Sequence, residues 1–258
     1  MRVITLLLIS ALYVRAAVLE AEYTISYWFL SHIGTTTLRY EDDGARFRIE
    51  AKAQLHGFAA LLAHHHTEQH ISTGHIGKDG LLIPEEYVVI RTYDDYRREQ
   101  RYYFDRRHKR ILLQQNETTT RNERRYDTKS MRYVNAKIPV NSSFFRLEHF
   151  YAENDLLTLY FNARSVLKSM RRAQEKKLPA VGSRDGIVTV EKEAEPFAFV
   201  FLLDQDIFRS KEGKLFVTMD NEYYVKNAVL KDVFLFGDLT VEREALKASP
   251  QGLGSKRD

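Results

Sequence analysis

Period-two alternation dominates the first half of the chain. Tyr23, Ile25, Tyr27 and Phe29 fall on one face of an extended segment that ends near His32–Gly34, and Thr35 to Glu41 leads into a turn at Asp42–Asp43–Gly44. In the next segment Phe47, Ile49, Ala51, Ala53 and Leu55 face one way, while Arg46, Arg48, Glu50, Lys52 and Gln54 face the other. Successive strand side chains point to opposite faces, so this pattern predicts a sheet with one dry and one wet face. Gly57 interrupts it, and Phe58–Ala63 suits a single helical turn. Strand character resumes at His66–Ile71; Gly74, Gly77 and Gly80 then punctuate the chain, and Leu82–Ile83–Pro84 closes the segment. Tyr87–Thr92, Gln100–Phe104 and Ile111–Gln115 read as an antiparallel meander, joined by Asp105–Lys109 and by the polar stretch near Asn116.

One segment changes period. Asn154 or Asp155 can cap a helix in which Leu156, Tyr160, Ala163 and Leu167 recur at helical spacing, with Leu157 and Phe161 on the neighbouring stripe. A helix apolar around most of its circumference belongs inside a domain rather than on its surface. A basic linker, Lys168 to Lys177, leads to Pro179 and Gly182 and a second run of strands. There Phe197, Phe199, Phe201 and Leu203 alternate with Ala198, Val200 and Leu202, so both faces are apolar. Leu215–Thr218, Tyr223–Lys226, Val233–Phe236 and Leu239–Glu242 follow, with turns at Lys211–Gly213 and Gly237–Asp238. The expected fold is mainly β: a curved antiparallel half-barrel of about 10–12 strands wrapped around one main buried helix. A two-sheet sandwich is the competing arrangement.

The start of the chain obeys neither period. Met1–Arg2 is followed by an almost wholly apolar run from Val3 to Val14, then Arg15–Ala16–Ala17. This is the layout of a secretory signal peptide over residues 1–16, and the run is shorter than the roughly 20 residues of a spanning helix. It predicts export across a bacterial inner membrane and a periplasmic location. Residues 17–247 then form a single β-rich domain without a transmembrane segment, and 248–258 form a disordered tail. The formal charge of +4 includes two arginines of the signal, so the exported part is nearly neutral. With no cysteine, disulfides, zinc–thiolate centres and thiol catalysis are excluded. Fifteen Tyr and fifteen Phe against one Trp suit strands with aromatic faces.

The order of elements carries a resemblance. A strand opening of the Tyr23–Phe29 type, the Gly34 turn and a long amphipathic strand come first. The segment Gly80–Leu81–Leu82–Ile83–Pro84 with Tyr87 follows, and then the helix Asp155–Leu156–Leu157–Thr158–Leu159–Tyr160–Phe161–Asn162–Ala163–Arg164. Together they resemble the exported Gram-negative family catalogued as domain of unknown function 3108, from which the extra Ile83 and the histidine-rich stretch depart. That family is similar in fold to the lipoprotein-carrier superfamily typified by LolA and LolB. The resemblance therefore implies a curved half-barrel closed by helices, and no catalytic residues.

Three groups of side chains carry candidate chemistry. His64, His66, Glu68 and His70 would project from one face of a strand, a weak set of metal candidates whose spacing is not that of a His–Glu–x–x–His metalloprotease. A polar, solvated strand is the plainer reading, so no metal or other cofactor is expected. Arg97, Arg98, Arg101, Arg106 and Arg107 interleave with Tyr102, Tyr103 and Phe104. The export signal removes nucleic acid as their partner, and nearby acids suit a wet hairpin face. Asp155 is read as a helix cap. Arg164, on a mostly apolar helix, has to reach solvent or an acid, because an unpaired buried charge is costly; a structural ion pair is the plainer outcome.

No nucleophile elbow, phosphate loop or paired-carboxylate motif is present in the sequence. The leading expectation is a non-enzymatic binding or chaperoning protein for an apolar or amphiphilic envelope molecule, a lipid or lipoprotein. Tyr23, Tyr27, Phe29, Phe47 and Ile49 would line its concave face and Arg164 would meet the ligand. The alternatives are a structural or interaction protein of the envelope whose helix plugs the barrel, and a cell-wall or polysaccharide enzyme.

Overall fold

The computed structural model describes residues 17–129, 131–183, 185–202, 213–233 and 237–248. The expected signal peptide, most of the turn before Gly213, the end of the Val233–Phe236 strand and the tail from Ser249 lie outside these residues. The elements run β1 (Ala17–Tyr27), β2 (Leu30–Asp42), β3 (Arg46–Leu55), α1 (Gly57–Leu62), β4 (Thr67–Ile76), β5 (Leu82–Tyr93), β6 (Tyr96–Asp105), β7 (Arg110–Asp127), β8 (Arg132–Leu147), α2 (Leu156–Asn162), α3 (Arg164–Ser169), β9 (Glu175–Pro179), β10 (Ile187–Lys192), β11 (Ala198–Leu202), β12 (Lys214–Met219), β13 (Val225–Val233) and β14 (Gly237–Ala248).

All fourteen strands form one antiparallel sheet in the order 8-7-6-5-4-3-2-1-14-13-12-11-10-9. Short connections make almost every sequence neighbour a sheet neighbour. The one long return passes through α2 and α3, after which β9 to β14 come back to lay β14 on β1, Leu19 opposite Ala248 and Tyr27 opposite Leu239. β8 and β9 are the edges, and the sheet is not closed into a barrel.

Several sequence expectations are corrected. The strand expected to include Phe29 ends at Tyr27, and Trp28–Phe29 form a two-residue turn, with Tyr27 opposite Leu30. Such turns need positive φ, normally signalled by Gly or Asn; here Trp28 adopts φ 51, so nothing in the sequence announced it. Phe29 is consequently 73 % exposed and off the dry face. His32–Gly34 lies inside β2, Leu82–Pro84 opens β5 instead of closing a segment, and Gly237–Asp238 starts a strand that continues to Ala248. Asn116 lies within β7, which continues into a long hairpin with β8, whose alternating Val134, Ala136, Ile138 and Val140 no other element covers fully. The single helix expected from Asp155 to Leu167 is two short helices meeting at Ala163. Asn162, just before the break, is pinned to β5 by reciprocal bonds with the Leu82 backbone at 2.9 and 2.8 Å.

The core falls into three clusters, and α2 touches all of them. Leu159, Ala163 and Leu167 pack with Val188, Phe199 and Val217 from β10 to β12. Leu157, Tyr160 and Phe161 pack on Leu19, Tyr40, Phe47 and Ile49 from β1 to β3. Leu156 and Leu157 also border the cluster of Tyr87, Tyr102, Ile111 and Leu113 from β5 to β7. Among the described residues, no helix is long and apolar enough to cross a membrane.

Candidate functional site

The N-terminus of α2 is fixed by a buried polar network. Asp155 Oδ1 accepts from the backbone N–H groups of Leu157 (2.8 Å) and Thr158 (2.9 Å), and Thr158 Oγ1 accepts from the Asp155 N–H, completing a capping box. The second carboxylate oxygen accepts from Ser72 Oγ on β4 at 2.7 Å. Asp155 is fully buried, and that burial pushes its pKa up despite these donors.

Beside it, buried Tyr87 shares a 2.6 Å hydrogen bond with His70 Nδ1, and His70 Nε2 lies 2.8 Å from Glu68. Arg91 donates to the same Glu68 oxygen at 2.9 and 3.1 Å. Burial works to raise the Glu68 pKa, but His70 and Arg91 outweigh it and hold the carboxylate down at about 2. Gly182, at φ +97, sits against this network, where a Cβ would come within 2.8 Å of the Tyr87 ring. A depressed carboxylate stabilises the fold above its unfolded-state pKa, and that contribution is lost as pH falls towards the folded value. For Glu68 it is about 3 kcal/mol, lost as pH falls from the ordinary glutamate range towards 2. Glu68→Gln should therefore flatten the acid limb of a stability–pH curve measured by urea denaturation.

The histidine candidates separate. His64 is exposed in the turn before β4, 3.8 Å from Asp94, while His66 stacks on Tyr93 with centroids 4.5 Å apart. His70 hydrogen-bonds one Glu68 oxygen and His66 Nε2 stands 4.0 Å from the other, while Arg91 already supplies that carboxylate with positive charge. Among the described residues no group of three or more His, Asp or Glu has metal-holding geometry. The arginines of β6 pair with acids on both faces: Arg97 with Glu99 (3.0 Å) and Arg101 with Glu86 and Glu99 on the wet face, and Arg98 with Glu117 (2.8 Å) on the face that carries Tyr102.

Arg164 is different. Asp155 is occupied by its cap and by Ser72, and among the described residues no carboxylate lies within ion-pair distance of Arg164. Its guanidinium instead stands over the Tyr224 ring at 4.0 Å, with Phe161 at 5.2 Å and Tyr160 at 5.9 Å. Nε and Nη2 are buried without a hydrogen-bond partner, and so is Tyr224 Oη. Contact with aromatic faces offsets up to about 2 kcal/mol of a desolvated cation's cost, but it provides no acceptor for the N–H groups. Buried donors left unmade are rare and call for a specific explanation.

Three open spaces adjoin α2 and α3. An apolar cavity of about 190 Å³ lies between the helices and β10–β13, walled by Leu159, Ala163, Leu167, Val188 and Val217 among others. It shares Leu159, Ala163 and Leu178 with a cleft of about 440 Å³. That cleft shares Leu81, Asn162 and Ser165 with a polar pocket of about 590 Å³ holding Arg164, Lys168, Glu222 and Tyr224.

The sequence-derived wall lies elsewhere. Phe47 and Ile49 are covered by Leu157, Tyr160 and Phe161. Tyr23 and Tyr27 donate their hydroxyls to the carbonyls of Val225 (3.3 Å) and Val233 (3.2 Å). Of the six candidate ligand residues, Arg164 is the one that lines any of these three spaces. Sequence reasoning missed Tyr224 and Lys168; the Lys168 spacing, one helical turn after Arg164, was the available signal. In comparisons with known proteins, no family model and no curated protein matches this chain.

Proposed function

We propose that this is a non-enzymatic binding protein for an amphiphile of the cell envelope, acting in the periplasm after export. In this reading the ligand's apolar end occupies the cavity beneath α2–α3 and its anionic end reaches Arg164. The observation that carries it is an apolar cavity linked through a shared cleft to a polar pocket whose arginine has buried, unsatisfied donors. We further infer that the sheet curls into a trough around α2. β7 and β12 are nine strand spacings apart, about 43 Å on a flat sheet, whereas a helix is only about 10–12 Å across. Yet Leu156 borders both the cluster containing β7 residues and the cluster containing Val217. A trough holding short helices is also what the resemblance to the lipoprotein-carrier superfamily implies.

Magnitudes bound the affinity this reading allows. Apolar cavities of about 150 Å³ stay dry and accept a benzene-sized guest, so this one suits about six carbons. At about 0.8 kcal/mol per methylene they contribute about 5 kcal/mol, and a charge-assisted hydrogen bond to Arg164 adds about 1.5–3 kcal/mol. After association costs of at least about 4 kcal/mol, the six carbons and the arginine together correspond to an affinity on the order of millimolar.

Titration with a fluorescent medium-chain fatty acid tests this. Saturable binding at one site is expected, and Ala163→Leu, which projects into the cavity, should weaken it at least tenfold without loss of stability. Absence of saturable binding to the folded protein would favour a purely structural role for the filled core.

A further inference from the structure

The β7–β8 hairpin reaches beyond the sheet. β6 pairs with β7 only as far as Thr119, whereas β7 and β8 remain paired from Thr120 opposite Pro139 to Asp127 opposite Arg132. Eight residues per strand therefore extend past their neighbours, about 25 Å of two-stranded ribbon. Residues 120–139 hold six basic and two acidic side chains, a formal +4 that equals the net charge of the whole chain. Lys137 is held by Asp95 at the base of the ribbon. Arg121, Arg124 and Arg125 have no carboxylate within ion-pair distance among the described residues.

Exposed apolar side chains run along β8, from Phe145 and Leu147 at the sheet end to a packed group at the far end. Met131 is 70 % and Tyr133 64 % exposed. Tyr126 and Tyr133 stack edge to face at 5.2 Å, Arg124 lies 5.0 Å over the Tyr133 ring, and the Tyr126 hydroxyl reaches Met131 Sδ at 3.6 Å. None of these residues belongs to the three core clusters, so the fold gives no reason to hold them there.

We propose that this ribbon docks the protein on an anionic bilayer surface, its arginines on lipid phosphates and Met131 with the tyrosine pair entering the headgroup layer. Basic residues are attracted to an anionic leaflet, and Tyr belongs at the interface because one end of its ring is apolar and the other wet. A nucleic acid would match the charge but offers nothing to the exposed methionine. Strand addition by a second copy is opposed by Pro139, which removes a ladder donor from the β8 edge. The proposal rests on the ribbon alone and is independent of the cavity.

Co-sedimentation of the full chain with vesicles tests it, using phosphatidylcholine alone and phosphatidylcholine containing one-third phosphatidylglycerol. Binding should be at least tenfold stronger to the anionic vesicles and should weaken as salt rises to about 0.5 M, where screening is strong. At roughly fivefold per basic side chain, Arg124→Glu with Arg125→Glu should lower it by at least about 25-fold. Met131→Ser should lower the part of binding that survives high salt. Thermal unfolding of both variants should match the parent, because the ribbon lies outside the core. Equal binding to the two vesicle types, unchanged binding by the arginine variant, or binding to an oligonucleotide but not to vesicles would each overturn the proposal.

Discussion

Replacing Asp155 with alanine is expected to destabilise the protein by about 3–5 kcal/mol, since it removes a helix cap and strands several buried donors at once. The Leu157 and Thr158 N–H groups and the Ser72 hydroxyl would all lose their acceptor in a site water does not reach. Ser72→Ala leaves Asp155 Oδ2 without its donor and should cost about 1–3 kcal/mol, less than the aspartate variant because the cap survives. The aspartate variant should lose about 10 °C in Tm, more than the serine variant. The pH response has the opposite sign to that of Glu68. Burial raises the Asp155 pKa, so the folded chain keeps a proton that the unfolded chain has released. Its contribution therefore falls as pH climbs from the ordinary aspartate range to the raised value, and Asp155→Ala should abolish that decline.

The second large effect is expected at Arg164. Arg164→Gln should weaken binding of a medium-chain carboxylate by about 10–150-fold, equivalent to a charge-assisted hydrogen bond of about 1.5–3 kcal/mol. Binding of the corresponding methyl ester should change little, because the ester presents no anion to the guanidinium. The folded state itself should gain stability, since a cation with unpaired buried donors is removed from among three aromatic rings. A purely structural arginine predicts the reverse: stability would fall through lost packing on Tyr224, and acid and ester would lose affinity equally.

The dry faces of β1 and β3, the helical turn at Gly57–Leu62, the meander from β5 to β7 and the Asp155 cap were legible because each leaves a local signature of period two, period 3.6 or capping chemistry. The Trp28–Phe29 turn was not, because a tryptophan at positive φ carries no turn signal. The β7 half of the β7–β8 ribbon gave no signal, because Arg121, Arg124 and Tyr126 follow no period, but Val134, Ala136, Ile138 and Val140 of β8 alternate and were the available sign of a strand. Arg164 was recognisable as a charge on an apolar helix, but its surroundings depend on Tyr224, 60 residues away in sequence, which only the return of β13 brings beneath it. The cavity arises from the same long-range packing, and for that reason the wall inferred from Phe47 and Ile49 is one the helix already covers.

A crystal structure of the protein with decanoate bound tests the central claim most directly. The alkyl chain should lie in the apolar cavity against Leu159, Leu167 and Val217, with the carboxylate within hydrogen-bond distance of Arg164. A decanoate bound elsewhere, or a cavity filled by the protein's own side chains with Arg164 turned to an acid, would contradict it.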